Sequence, residues 1–411
     1  MRDSSAMARG ESFDLLILGG GLIGLTLARA LARAGLGVAL IEHRELETTV
    51  EDAYDGRASA IAAGSARILE GIGVWPAMAD EAEAILEIRV VDGDRPLFLH
   101  YDHRDLGQGP LGHIVENRVT RKALLAGLAG QANLALFAPA SLDALERGAL
   151  GVSARLADGR ELRARLVVAA DGRRSTTRAQ AGIETVEWRY RQSAIVCTVA
   201  HERPHRGIAI ERFLPVGPFA ILPMTGNRCS LVWAEDEVRA PEILALDDDG
   251  FTAEMRARFG DFLGELRVVG PRWSYPLGLS NAKRYIAPRL ALVGDAAHAI
   301  HPLAGQGLNL GLRGVASLAE VLVDAHRLGL DIGAYDRLER YERWRRFDAL
   351  TLVTVTDGLN RLFSNDIAPV RLTRDLGLAA VNRMAPLKRL FMRHAMGLVG
   401  EIPRLARGEP L

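Results

Sequence analysis

Gly19-Gly20-Gly21-Leu22-Ile23-Gly24 stands between a continuously apolar run, Phe13 to Leu18, and a stretch, Leu22 to Ala34, whose apolar residues recur at helical spacing. A strand that enters a G-x-G-x-x-G turn and leaves it as a helix opens a parallel α/β sheet. The next strand comes at once, from Gly37 to Ile41, and closes on Glu42. In such a turn Gly19 permits the tight bend, Gly21 lets a pyrophosphate approach the backbone, and Gly24 lets helix and strand pack. The helix N-terminus adds free N–H groups and a favourable dipole. Glu42 is suited to accept both hydroxyls of an adenosine ribose and to repel a 2′-phosphate. The ligand implied is a dinucleotide; the bland alternative is a glycine turn in some other α/β sheet.

With 411 residues, 48% of them hydrophobic, the chain can bury a core large enough for two closely packed lobes. Its 51 basic and 51 acidic residues cancel, which argues against a nucleic-acid partner, since phosphates need a basic surface. Cys197 and Cys229 lie in apolar, strand-like segments, away from ligand-like spacing, and read as buried fillers in a reducing compartment, with no metal site. The first twelve residues are polar and no run approaches a membrane span. A cytoplasmic protein is expected, either free or peripheral on the inner face of the membrane.

Further along, residues 57–72 read as a helix, 85–115 as peripheral antiparallel strands, and 118–128 as a helix. Gly151 to Leu156 and Glu161 to Ala170 flank an Asp158-Gly159 turn, a hairpin signal. From Ser193 to Trp233 strand-like runs alternate with Pro and Gly breaks, then continue beyond a helix near 251–265, and the chain is helical from about 307. The fold class expected is α/β: a Rossmann-like domain carrying an inserted antiparallel-sheet domain and a helical C-terminal segment. The nucleotide domain then comprises 12–80, 116–185 and 286–345, with substrate-side strands at 81–115, the inserted sheet at 186–285 and the helical segment at 346–411.

A second strand, Leu290 to Val293, runs into Gly294-Asp295-Ala296-Ala297-His298, and then comes His301-Pro302-Leu303-Ala304-Gly305-Gln306-Gly307-Leu308-Asn309-Leu310-Gly311. Asp295 is suited to bond a ribityl hydroxyl, and the glycines at 305–307 open a helix whose N–H groups can face the pyrimidine oxygens of a flavin. This run separates FAD from NAD, which the first turn cannot do. Taken alone, Asp295 also reads as a helix cap. Between the two lies Asp171-Gly172-Arg173-Arg174-Ser175-Thr176-Thr177-Arg178, again after an apolar strand.

These three motifs, in this order, resemble the aromatic-hydroxylase group of flavoprotein monooxygenases. Within it, the H-P-L-A-G-Q-G-x-N-x-G run from His301 and the ending from Gly377 to Leu405 are similar to the FAD-dependent hydroxylases of ubiquinone biosynthesis. The resemblance implies an FAD cofactor held by Gly19, Gly21, Gly24, Glu42, Arg57, Asp171, Gly172, Gly294, Asp295, Gly305, Gln306, Gly307, Leu308 and Asn309. It also implies NAD(P)H as a transient reductant, O2 as co-substrate, and a polyprenyl phenol or quinone precursor hydroxylated through a flavin hydroperoxide. His298 and His301, with Pro302 beside them, are the candidates for assisting phenol deprotonation, against a structural hydrogen-bonding role. The stretch 371–398, where Leu387, Leu390 and Phe391 alternate with Lys388, Arg389 and Arg393, reads equally as a helix on an anionic membrane surface and as one packed on the domain. Other ubiquinone-pathway proteins are expected partners. A flavin-dependent prenyl-chain reductase and a non-catalytic flavin scaffold are the competing functions.

Overall fold

The protein is described by a computed structural model covering residues 11–46, 56–93, 98–107, 109–300, 305–363 and 384–411. Its first sheet carries a parallel core in the spatial order Leu290–Leu292, Glu161–Ala169, Glu11–Leu18, Val38–Ile41, Leu134–Phe137. Leu15, Leu16 and Ile17 are wholly buried, as are Leu166, Val167 and Val168 beside them. Helices cover both faces of such a sheet, so its strands are apolar throughout instead of alternating. The expected hairpin joins this sheet: Val152–Leu156 pairs antiparallel with Glu161–Ala169 around Gly159 at φ +89°.

Register fixes where the connecting segments emerge. Leu18 lies opposite both Ala169 and Ile41, and Ala169 lies opposite Leu292. Three strands therefore end side by side, and the segments that leave them, at Gly19, at Ala170 and at Val293, come out along one edge of the sheet. Open α/β sheets bind ligands at these carboxyl ends.

The second sheet has eight strands among the described residues. Its centre is built from two 17-residue strands, Thr185–His201 and Leu266–Ala282, which pair with each other, and from Arg228–Asp236, Gly217–Met224 and Ile208–Leu214. Helix Asp248–Phe259 packs on one face through Phe251, Met255 and Phe259. Cys197 and Cys229 are free and buried in that core, with burial pushing both thiols up to about 12. A two-residue strand, His298–Ala299, bonds to Ser280 and Asn281 at the other edge, so the third motif is fastened to both sheets.

Two expectations are corrected. Residues 58–62 form a strand, Ala58–Ala62, paired antiparallel with Gly112–Glu116, and the helix starts only at Ala63. An Ala-Ser-Ala-Ile-Ala run has no breaker to signal this; the ladder overrides local propensity. The strands after residue 85 lie at the edge of the second sheet but are not all antiparallel, because Glu87–Asp92 pairs in parallel with Ile208–Leu214 while Phe98–Asp102 pairs antiparallel beyond it. Among the described residues the last helices are Gln306–Arg327, Tyr335–Phe363, Ala385–Ala395 and Arg404–Arg407. Among the described residues no helix is long and apolar enough to cross a membrane.

Candidate active site

A cavity of about 540 Å³ lies between the carboxyl ends of the first sheet and one face of the second. Gly21, Leu22 and Ile23 of the first motif line it, with Gly172 and Arg173 of the second and Asp295, Gly305, Gly307 and Leu308 of the third. The second sheet contributes Ala194, Glu211, Ala220, Leu222, Val232, Ala234, Tyr275 and Leu277. Motifs roughly 150 and 270 residues from the first thus share one cavity, because strand order places their turns side by side.

The glycines differ in what they are for. Gly19 sits at φ +109°, and a Cβ there would lie 2.4 Å from the carbonyl oxygen of Ala170; one on Gly24 would lie 1.9 Å from that of Gly19. These two make the turn close on itself. A Cβ on Gly21 would meet no protein atom within 4 Å, so its bareness leaves backbone open to the cavity. Gly294 and Gly311 both close on Ile23, at 3.1 Å and 2.6 Å from a would-be Cβ, which locks the third motif onto the first helix.

Helix Leu22–Arg33 starts at Gly21 and helix Gln306–Arg327 at Gly305, and neither has a side-chain cap. Both first turns border the cavity, so helix N-termini and two positive dipole ends face it together. That is the environment an anionic pyrophosphate and an electron-rich flavin pyrimidine require. Asp295 opens onto the cavity while protein surrounds it, and desolvation raises its carboxyl above the usual range against the pull of Arg173. The open Gly21 backbone, the two uncapped helices and this carboxylate fit FAD.

Glu42 and Asp171 stand behind the wall. The Glu42 carboxylate accepts the N–H of Gly20 at 2.6 Å and that of Arg44 at 3.0 Å, bracing the first turn. Asp171 accepts both the N–H and the hydroxyl of Thr177, while its Oδ1 is buried without a partner among the described residues. Arg57 is exposed beside the lining residue Ala58, and its charge reaches Tyr275. Gln306 and Asn309 turn from this cavity toward a second one of about 60 Å³. There Asn309 accepts from Ala62 N–H and donates to the carbonyls of Ala60 and Gly305, stapling the unforeseen strand Ala58–Ala62 to the start of the long helix.

His298 does not line the cavity. It is 3% exposed, its ring lies 5.7 Å from that of Tyr285, and its Nδ1 has no partner among the described residues. Desolvation, helped by Arg345 and Arg313, lowers its imidazole to about 3, so it stays neutral. His301 and Pro302 lie outside the described residues.

Of three further groups at the site, Arg178 closes the second sequence motif, while Tyr275 and Glu211 carry no signal in the sequence. Arg178 donates to the carbonyls of Ala296 and Arg173, tying the second motif to the third. Tyr275 and Glu211 line the cavity from the second sheet, and their strands carry no motif that singles them out.

A family model described as an FAD binding domain matches residues 12–355. The chain is 58% identical to ubiquinone hydroxylase UbiL of Rhodospirillum rubrum over 97% of this chain and 93% of the relative. It is 37% identical to 3-demethoxyubiquinol 3-hydroxylase of Escherichia coli, over 94% and 98%. It is also 31% identical to human ubiquinone biosynthesis monooxygenase COQ6, over 93% and 92%. In fold it resembles p-nitrophenol 4-monooxygenase PnpA of Pseudomonas putida, with a TM-score of 0.80 at 20% identity over 95% and 99% of the two chains.

Proposed function

The chain belongs to the FAD-binding family that includes the ubiquinone-biosynthesis hydroxylases, and from that we propose that it hydroxylates the aromatic ring of a polyprenylated phenol or quinone precursor in that pathway. It is an FAD-dependent monooxygenase that takes its electrons from NAD(P)H. The observation that carries the reading is the shared cavity, with the glycine motifs on one side and an apolar sheet face on the other. Segments 12–80, 116–185 and 286–345 hold the cofactor; 81–115 and 186–285 form the substrate side.

When bound and reduced, FAD supplies the electrons that activate O2. The rest falls to the chain. Gly21 and the helix after it receive the pyrophosphate, Glu42 the adenosine ribose, and Asp295 a ribityl hydroxyl. The helix that begins at Gln306 presents N–H groups to the pyrimidine ring, where negative charge accumulates on reduction. The small apolar side chains Ala194, Ala220 and Ala234 leave room for a flat ring and keep water from the reacting atoms.

His298 acts by filling space behind the cavity instead of moving a proton. The His298→Ala variant is therefore expected to keep product formation with an unchanged pH profile. An altered profile would restore the acid/base role.

The enzyme also meets a membrane surface through its C-terminal helix. Met392 and Met396 pack this helix onto the domain, while Leu390 and Phe391 are 51% and 42% exposed beside exposed Arg389 and Arg393. An apolar edge flanked by cations suits an anionic bilayer. The remainder of the stretch, 371–383, lies outside the described residues. Flotation with anionic liposomes is expected to carry the protein, and to carry a Leu390→Glu/Phe391→Glu variant far less; equal flotation of both would exclude this helix as the contact. Other pathway proteins are proposed to dock at the same bilayer.

The functional proposal is tested by incubating FAD-loaded protein with NAD(P)H, O2 and a short-chain prenylated phenol. A product heavier by one oxygen atom is expected by mass spectrometry. NAD(P)H oxidation that this phenol does not stimulate, with no oxygenated product, would count for a flavin scaffold.

A further inference from the structure

The face that the second sheet turns to the cavity is apolar apart from the Tyr275 hydroxyl and one carboxylate. On Ile208–Leu214 buried and half-buried residues alternate, and Glu211 sits in the buried set with Ala209 and Phe213. Its neighbours in the ladder are Ala220 and Val90. Glu211 and Asp295 are the carboxylates among the described lining residues, and they come from different walls: Asp295 from the third glycine motif, Glu211 from the sheet.

A carboxylate in an apolar wall is costly unless something donates to it. Among the described residues Glu211 meets neither a hydrogen-bond donor nor a cation, and burial alone acts on it. The titratable groups on its face of the sheet are Asp92, Tyr101 and Tyr275, with Arg228, Arg267 and Asp236 toward its ends, and across the cavity stand Arg173 and Asp295. With no donor among the described residues, its partner is assigned to a molecule inside the cavity.

We propose that Glu211 accepts the hydrogen bond of the substrate's ring hydroxyl and takes up its proton as oxygen is transferred. The inference rests on the hydroxylase reading above. The phenol O–H bond breaks, the proton passes to a Glu211 oxygen, and the electron pair stays on the phenol oxygen. That charge raises the nucleophilicity of the ring carbons ortho and para to it. One of them forms the new C–O bond to one oxygen atom of O2; the O–O bond breaks, and the other oxygen atom, reduced by the two electrons of NAD(P)H, leaves as water. The same carbon then loses its hydrogen as a proton, aromaticity returns, and Glu211 gives its proton back. The ring gains one oxygen atom, and Glu211 ends as it began.

The ionisation of Glu211 suits the task, since burial pushes its carboxyl up to about 7. A base is most effective when it titrates near the working pH. Glu211 is charged and able to accept above about pH 7 and protonated below it.

The test compares a short-chain prenylated phenol with its methyl ether on FAD-loaded, unreduced protein, reading binding from the change in flavin absorbance. Phenol affinity is expected to rise several-fold as pH rises through about 7, while the ether, which has no proton to donate, shows no such rise. In turnover, Glu211→Gln is expected to hydroxylate about 100-fold more slowly and to lose that limb of the pH profile, with Glu211→Asp partly restoring both. Equal profiles for phenol and ether on the natural protein, or an unchanged rate and profile in Glu211→Gln, would overturn the role. If Glu211→Gln fails to retain FAD, the comparison of phenol with ether decides alone. A natural protein that hydroxylates no prenylated phenol would overturn the functional reading beneath it, an outcome distinct from a Glu211 variant that works normally.

Discussion

Gly24→Val is expected to yield protein without its flavin. A first side-chain carbon at residue 24 would stand 1.9 Å from the carbonyl oxygen of Gly19 and 3.4 Å from the Cβ of Ala170. Gly19 is itself wedged, at φ +109°, against the backbone of Ala170 and Asp171. The turn cannot yield toward the second motif, so the first helix must move away from the sheet. Such overpacking costs about 3 kcal/mol, and the displacement carries the open backbone of Gly21 and the uncapped N–H groups out of register with a pyrophosphate. FAD affinity falls by at least about 100-fold if a comparable energy is lost from binding. The check is the flavin-to-protein absorbance ratio of the purified variant, and then titration with FAD. Stoichiometric flavin would mean that the pyrophosphate does not rest on this backbone.

The second large effect concerns stability. Arg313 and Arg345, 4% and 2% exposed, both pair with the carboxylate of Asp348, at 3.1 Å and 2.6 Å. Removing the shared partner of two buried cations leaves charge unpaired in an apolar interior, which costs about 3 to 5 kcal/mol. Asp348→Asn is therefore expected to lower Tm sharply, with His298, held neutral by burial and then by the same arginines, next to the released charge. Desolvation pushes the Asp348 carboxyl up, but Arg345 and Arg313 outweigh it and hold it below the ordinary carboxylate value of 3.8. A carboxyl lowered on folding stabilises the protein above its unfolded pKa and loses that contribution as pH falls through the folded value. The natural protein is thus expected to lose stability on acidification below about pH 4, and this part of the loss to vanish in Asp348→Asn; the check is thermal melting as a function of pH. A variant with the parental Tm would show that solvent reaches the arginines.

Much of the framework was legible in the chain. Continuous apolar runs ending in glycine announced the parallel strands, because strands covered on both faces need no polar side. The Asp158-Gly159 hairpin was equally plain, since few dipeptides suit its backbone. Residues 58–62 were not legible: alanine and serine suit a helix as well as a strand, and only pairing with Gly112–Glu116 and the Asn309 staple separates the two. The site divides in the same way. Gly21, Gly172, Asp295, Gly305, Gly307 and Leu308 belong to motifs and meet at the cavity. Asn309 and Gln306 belong to the same motif yet face elsewhere, because a helix turns successive side chains about 100° apart and only some of them can look at one cavity.

By itself, then, the sequence determined the nucleotide-binding half of this protein, since a tight phosphate turn can be made from few residue types and each leaves its mark locally. Only the tertiary structure decided what faces the substrate. Glu211, Ala220 and Tyr275 come from three strands spread over some 65 residues, and His298, beside the flavin motif in sequence, lies behind the wall in space. No local pattern encodes such a face. It exists only once strand order and register have brought separate segments together, with burial fixing the ionisation of each group.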